Sequence, residues 1–238
     1  MDKQKVNKET VSKPELYTVL GNVFITLLNK FKSNDGRSDW MNKPFNVGSK
    51  TVSTNGYILI STPLQKGFDD LANKTKGVYP MGYIMDKKIS VSELKEKINA
   101  FPKVDCFDKQ EKECDACSGY GDVNFEFSHN GKYYESNQDC PVCDGSGVFN
   151  TVSKQPNGKK ELDYNKFFGI GNSVFNVLRI EELLEVAETL KSDEITLVNQ
   201  TQANKASLFK IKEVEVLLMP TRCNDLSNVV QNVANTKI

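Results

Sequence analysis

The stretch Cys114-Asp-Ala-Cys117-Ser-Gly119-Tyr-Gly121 returns further along the chain as Cys140-Pro-Val-Cys143-Asp-Gly145-Ser-Gly147. Both read C-x-x-C-x-G-x-G, and nothing else in the 238 residues restricts the fold as tightly. One C-x-x-C turn brings two thiolates to a metal ion, and a second turn completes a tetrahedral shell of four. The glycines let the backbone take positive φ as it wraps the ion, and leave amides free to hydrogen-bond the sulfurs. Between the knuckles, Val123–Phe127 and Lys132–Glu135 flank His129-Asn130-Gly131, the pattern of a tight hairpin. The expectation is one structural zinc ion on Cys114, Cys117, Cys140 and Cys143. Four thiolates leave no open position for catalysis. His129, the only histidine, falls at the hairpin tip and reads as exposed rather than as a ligand. Cys106 and Cys223 read as ordinary thiols. Six cysteines are too few for a disulfide scaffold in a chain this long, and their paired spacing suits a reducing, cytoplasmic setting.

Charge is distributed unevenly, although the formal total is zero. Residues 1–103 carry 17 Lys/Arg against 10 Asp/Glu, residues 104–147 carry 3 against 10, and residues 148–238 carry 11 against 11. An acidic cysteine segment repels phosphates, so the finger reads as a staple or a protein-contact surface rather than a reader of DNA. The polar lead, residues 1–13, is not followed by an apolar stretch of signal-peptide type, and the chain has no apolar run long enough to cross a bilayer.

The remaining pattern alternates helical and strand periods. Leu16, Leu20, Val23, Phe24, Leu27, Leu28 and Phe31 fall at spacings of three and four, which predicts a helix over Glu15–Lys32, ended by Asn34-Asp35-Gly36. Short strands are expected at Phe45–Val47, Lys50–Val52 and Tyr57–Ile60, with Asn55-Gly56 as a tight turn. Residues 63–89 read as irregular. Ser90 with Glu93 forms a capping box at the start of a second helix that ends near Phe101-Pro102. Gln155–Gly158 reads as a loop, Phe167–Ile170 and Ser173–Asn176 as strands, and 179–191 as a third helix with Ile180, Leu183, Leu184, Val186, Ala187 and Leu190 inward. Strands at Glu194–Val198, Ala206–Ile211 and Glu213–Met219 follow, and the residues after Asn224 are left as a short helix or a loose tail.

Two resemblances follow from these residues. The C-x-x-C-x-G-x-G repeats resemble the cysteine-rich domain of DnaJ-type chaperones, with two repeats in place of four, which implies one zinc. No J-domain accompanies them, so a chaperone role does not carry over. Val52-Ser53-Thr54-Asn55-Gly56-Tyr57-Ile58-Leu59 resembles a segment of bacterial DNA polymerase sliding clamps. So does the ordered series Phe175-Asn176, Leu183-Leu184, Asp193-Glu194-Ile195 and Val216-Leu217-Leu218-Met219-Pro220-Thr221-Arg222. The resemblance implies an α+β fold: a single DNA-clamp-like domain, helices packed on antiparallel sheets, interrupted by the four-cysteine finger. The implied division is 1–103 and 150–223 for the clamp-like part, 104–149 for the finger and 224–238 for a tail. The family's partner pocket lies beside its terminal Met-Pro segment, which makes Leu217, Met219 and Pro220 the candidate partner-contact residues. A family ring uses six domains, so this chain oligomerises or does not encircle DNA. Against DNA stands the third helix, which carries Glu181, Glu182, Glu185 and Glu188.

No P-loop, G-x-S-x-G or H-E-x-x-H occurs, and Gly169-Ile-Gly171 reads as a bend. The expectation is therefore a non-enzymatic, phage-derived, clamp-like accessory factor in DNA replication, binding DNA or replication proteins. The alternative is a zinc-stabilised protein-interaction module with no DNA role.

Overall fold

A computed structural model describes residues 13–34, 38–71, 84–200, 202–223 and 225–233. It divides into two compact units, one made of residues 1–102 with 163–238 and one of Lys103–Leu162. The class is α+β, as the alternating periods imply.

The larger unit holds helices α1 (Lys13–Lys30), α2 (Val91–Asn99) and α3 (Val177–Thr189). Its main sheet has seven antiparallel strands: β1 (Phe45–Val47), β2 (Lys50–Thr54), β3 (Ile58–Pro63), β4 (Ile84–Ser90), β11 (Glu194–Asn199), β12 (Ser207–Ile211) and β13 (Val214–Leu218). Their spatial order is β1-β2-β3-β13-β12-β11-β4. A second sheet orders β10 (Ser173–Asn176), β9 (Phe167–Ile170) and β14 (Val229–Val233). The run β10-α3-β11-β12-β13 is one complete β-α-β-β-β series.

Helical apolar spacing becomes burial. Phe24, Leu27 and Leu28 on α1 and Phe31 just past its end are buried, whereas Leu20 is exposed at 37%. All six inward residues read on α3 are buried. Each such Leu or Phe contributes about 1.5–3 kcal/mol by leaving water. α3 begins two residues before the expected start because Asn176 caps it, its side chain accepting from the Leu178 amide at 2.9 Å. At α2 the Glu93 amide donates to Ser90 Oγ at 3.5 Å, as the capping box requires. The Asp35 and Gly36 stop signal lies outside the described residues, as do residues 72–83 of the segment expected to be irregular.

Three differences from the sequence expectations stand out. Ile84–Ser90 is a strand, not irregular chain, because it pairs with β11 from Glu194↔Ser90 to Asn199↔Ile84. The supposed tail carries a 3-10 turn at Leu226–Asn228 and then β14, which runs parallel to β9. Gln155–Gly158 is not a free loop: it lies within β8 (Val148–Leu162), the long partner of β5 (Lys103–Glu113). The finger's strands therefore run on to Leu162 rather than stopping at 149. The Pro156 position is tolerated because the β5–β8 register shifts around its partner Phe107.

The smaller unit consists of two ribbons. β5 and β8 form one, and β6 (Asp122–His129) with β7 (Lys132–Asp139) forms the other, closed by Asn130 and Gly131 at φ 50° and 71°. Both left-handed residues suit the Asn-Gly type I′ turn. No helix among the described residues is long and apolar enough to cross a membrane.

Candidate functional site

The two knuckles meet where the ribbons join. Cys114, Cys117, Cys140 and Cys143 are all buried, and their Sγ atoms lie within 4.8 Å of one another. Cys114 Sγ is 3.9 Å from Cys140 Sγ, and Cys117 Sγ is 3.7 Å from Cys143 Sγ. A tetrahedral ion with metal–sulfur bonds of about 2.3 Å needs sulfurs about 3.8 Å apart, so the four thiols are spaced for one ion. Val123 and Phe149 pack against the cluster and restrict water.

The surrounding hydrogen bonds repeat with the sequence. The Gly119 amide donates to Cys114 O at 3.2 Å and the Gly145 amide to Cys140 O at 3.1 Å. Gly121 and Gly147 each donate an amide, at 3.3 Å, to the sulfurs of Cys117 and Cys143. The halves also lock across: Cys114 N donates to Gly147 O and Cys140 N to Gly121 O, both at 2.8 Å. Both Gly121 and Gly147 are at positive φ, and a Cβ on either would come within 2.4 Å of the opposite knuckle's carbonyl, Gly145 O or Gly119 O. A side chain on the second glycine of either repeat therefore collides with the opposite knuckle.

The thiols are not equivalent. Burial pushes Cys114 up to about 11. Burial acts on Cys143 in the same direction, but the Gly147 amide and the neighbouring thiols outweigh it and bring it down to about 7. A site that favours one thiolate before metal arrives suits a cation, because ligation requires deprotonated sulfur. These residues fit a metal ion. His129 is exposed at the hairpin tip, stacked on Phe127 with centroids 6.2 Å apart, and takes no part. Cys106 and Cys223 are half-buried free thiols and are not members of the four-cysteine cluster.

The second candidate site lies in the larger unit. The two stretches Val52–Leu59 and Val216–Arg222 are far apart in sequence but adjacent in the sheet, with Leu217 opposite Leu59 and Leu218 opposite Ile58. Beyond β13, Met219 N donates to Tyr57 O at 2.9 Å, and Thr221 N to Val174 O at 2.8 Å. Met219-Pro220-Thr221 is thus held at both ends, between Tyr57 and β10. Around it run three adjoining hollows that share Met219. One, of about 310 Å³, is walled by Trp40, Met41, Tyr57, Ile58 and Leu217. The next, about 490 Å³, lies between Tyr57, Leu178, Arg179 and Pro220, and the third, about 680 Å³, reaches Val174, Arg222 and Leu226.

Of the three candidate contact residues, Met219 is 45% exposed, Pro220 is half-buried, and Leu217 is 3% exposed. Leu217 therefore serves as the floor, packed in the cluster of Phe45, Val52 and Leu59. Tyr57, Trp40 and Arg179 also line the groove and were not singled out from the sequence. The signal for Tyr57 was a large aromatic directly after the Asn55-Gly56 turn. Arg179 lies 4.6 Å above the Tyr57 ring and pairs with Glu182 at 2.6 Å, which fixes the wall.

No family model and no curated protein matches the sequence. Solved structures resemble its fold. The chain is similar to bacterial sliding clamps. Against the DNA polymerase sliding clamp from Pseudomonas aeruginosa the identity is 10% and the TM-score 0.44, covering 86% of this chain and 65% of that one. Against the DNA polymerase III beta chain from Streptococcus pneumoniae the values are 12%, 0.45, 94% and 67%. Against the DnaN sliding clamp from Bartonella birtlesii bound to griselimycin they are 13%, 0.45, 87% and 65%. The chain thus spans 65% of the length of the Pseudomonas and Bartonella proteins.

Of the three helices, α3 is acidic. α3 has Glu181, Glu182, Glu185 and Glu188 against Arg179. Glu185 pairs with Lys30 of α1, and Glu188 with Lys95 of α2 at 2.7 Å, so two lysines of the neighbouring helices are already engaged.

Proposed function

We propose that the chain is a non-enzymatic, clamp-like accessory protein that holds an extended apolar segment of a protein partner in the groove around Met219 and Pro220. The observation that carries this reading is the groove itself. It has a rigid apolar floor, an exposed Met219, and two aromatic residues, Tyr57 and Trp40, set along one wall. Such concave, apolar, prebuilt surfaces with one or two polar fixing groups are how short segments are recognised. The setting in DNA replication is supported by the sequence resemblance of the Val52–Leu59 and Val216–Arg222 stretches. Of the two modes expected, DNA or protein, the four glutamates of α3, two of them paired with Lys30 and Lys95, favour protein, since phosphate binding draws on Lys and Arg.

The ion at the four cysteines is inferred to be zinc, held by Cys114, Cys117, Cys140 and Cys143. A four-thiolate, closed, buried shell suits zinc over the oxygen-preferring cations. When bound, it supplies the bond energy that a finger with so small a core lacks. The reduced thiols it needs support a cytoplasmic location.

The test is selection from a displayed library of short random peptides on the intact protein. The reading expects enriched apolar sequences whose binding drops by about tenfold or more in Met219→Asp, a loss of one buried apolar contact and gain of an unpaired charge. Enrichment that Met219→Asp leaves unchanged, or tight binding of duplex DNA with no peptide enriched, would sink it.

A further inference from the structure

The β6–β7 ribbon has two unlike faces, and beyond Val123, which packs against the cysteine cluster, their side chains play no part in the metal centre. Cross-strand partners run from Asp122↔Asp139 to His129↔Lys132. Because side chains alternate, Phe125, Phe127 and Tyr134 share one face. They are 51%, 62% and 51% exposed, and Phe127 packs on Tyr134 with centroids 6.1 Å apart. The other face sets like charges directly opposite each other, Asp122 against Asp139 and Glu126 against Glu135. Such pairs destabilise a ribbon. Asn137 and Tyr133 donate hydrogen bonds to Asp122 and Glu126, but Glu135 and Asp139 have no cationic partner among the described residues. From 122 to 139 the only Lys or Arg is Lys132, opposite His129 at the tip of the ring face, against four carboxylates on the other face.

Exposed rings in a row suit two kinds of ligand: stacked nucleobases or cationic side chains. Charge separates them. Glu126 and Glu135, one position from the rings and within about a Debye length of them, ~10 Å, repel phosphates and attract Lys and Arg, and Asp122 and Asp139 add to the field farther along the ribbon. Both outer edges of this two-stranded sheet are unpaired among the described residues, so an extended segment can add backbone hydrogen bonds there. The protein already uses the same contact internally, in Arg179 over Tyr57.

We propose that the finger's hairpin is a second docking surface, which takes a basic, extended segment of a protein partner. Its Lys and Arg side chains lie over Phe125, Phe127 and Tyr134, drawn by the carboxylates of the ribbon. This surface is independent of the Met219 groove.

The experiment uses the metal-loaded full chain and three labelled probes: a peptide of alternating Arg and Thr, one of alternating Glu and Thr, and a single-stranded oligo-dT. Fluorescence anisotropy is read at low and near-physiological salt. The Arg-Thr peptide is expected to bind, and to weaken by about tenfold when salt shortens the Debye length. The double variant Phe125→Ser/Phe127→Ser is expected to lose about tenfold or more, and Glu126→Gln/Glu135→Gln several-fold, while metal affinity stays unchanged. Should the serine pair unfold the hairpin, Phe127→Leu keeps an apolar strand residue but removes a ring face, and is expected to weaken binding about threefold. Met219→Asp is expected to have no effect. Equal binding of the Glu-Thr peptide, tighter binding of oligo-dT, or unchanged binding in the ring variants would each overturn the proposal.

Discussion

Gly147→Ala tests the metal centre at its tightest point, and Gly131→Ala is its internal control. The two glycines have nearly the same backbone, φ 75° and 71°. Alanine at such an angle costs about 1–2 kcal/mol in either place. Only the surroundings differ. A Cβ at Gly131 meets nothing within 4 Å, whereas at Gly147 it comes to 2.4 Å from Gly119 O. That carbonyl cannot retreat without moving the turn that carries Cys117, whose own hydrogen bonds cross to the other knuckle. Overpacking of this kind costs about 1–3 kcal/mol. Metal binding and folding of a small finger share one free energy, so the difference appears in metal affinity. At about 1.4 kcal/mol per tenfold, Gly147→Ala is expected to bind zinc about 5- to 150-fold more weakly than Gly131→Ala. A chelator-competition titration on the two purified variants measures the ratio. Equal affinities would refute the reasoning, because the shared φ penalty would then be the whole effect and the carbonyl contact worth nothing.

Three further outcomes follow from the same geometry. Cys140→Ser is expected to remove a buried ligand and abolish stoichiometric zinc, seen as loss of the metal by elemental analysis after gel filtration. Leu28→Ala deletes a fully buried side chain of α1 and is expected to destabilise the larger unit by about 2–5 kcal/mol in denaturant titration. Gln200 donates to Ile170 O at 2.9 Å and Ser207 Oγ at 3.0 Å and accepts from Asn172 N at 2.6 Å, so Gln200→Ala leaves buried groups unpaired and is expected to cost about 1–3 kcal/mol, measured the same way.

The parts that were legible from sequence are those whose physics is local. Four cysteines in two identical frames announce one thiolate cluster, and the knuckle hydrogen bonds repeat as the letters do. The inward stripe of α3 and the strands Phe45–Val47, Phe167–Ile170 and Ser173–Asn176 were readable from period and flanking turns. What escaped depends on distant partners. β4 carries Asp86, Lys87 and Lys88 and has no apolar run to announce it, yet it pairs with β11 along its length. β14 sits in an Asn-rich end that reads as a tail, but β9 supplies its ladder. β8 contains Pro and Gly, the residues of loops, and is a strand because β5 lies beside it. For the groove, Leu217, Met219 and Pro220 were named from resemblance alone. The aromatic wall of Tyr57 and Trp40 needed the fold, because those residues come from different segments of the chain.

The central claim is that the groove around Met219, and not the helical face, receives the partner. Methyl-labelled NMR spectra of the zinc-loaded protein, titrated with a peptide enriched in the selection and separately with duplex DNA, test it most directly. The account predicts that the Met219 and Ile58 methyls shift with peptide, while Leu20 and Ile25 on α1 are unmoved by DNA at physiological salt. Shifts confined to the helices on adding DNA, with Met219 and Ile58 silent to peptide, would contradict it.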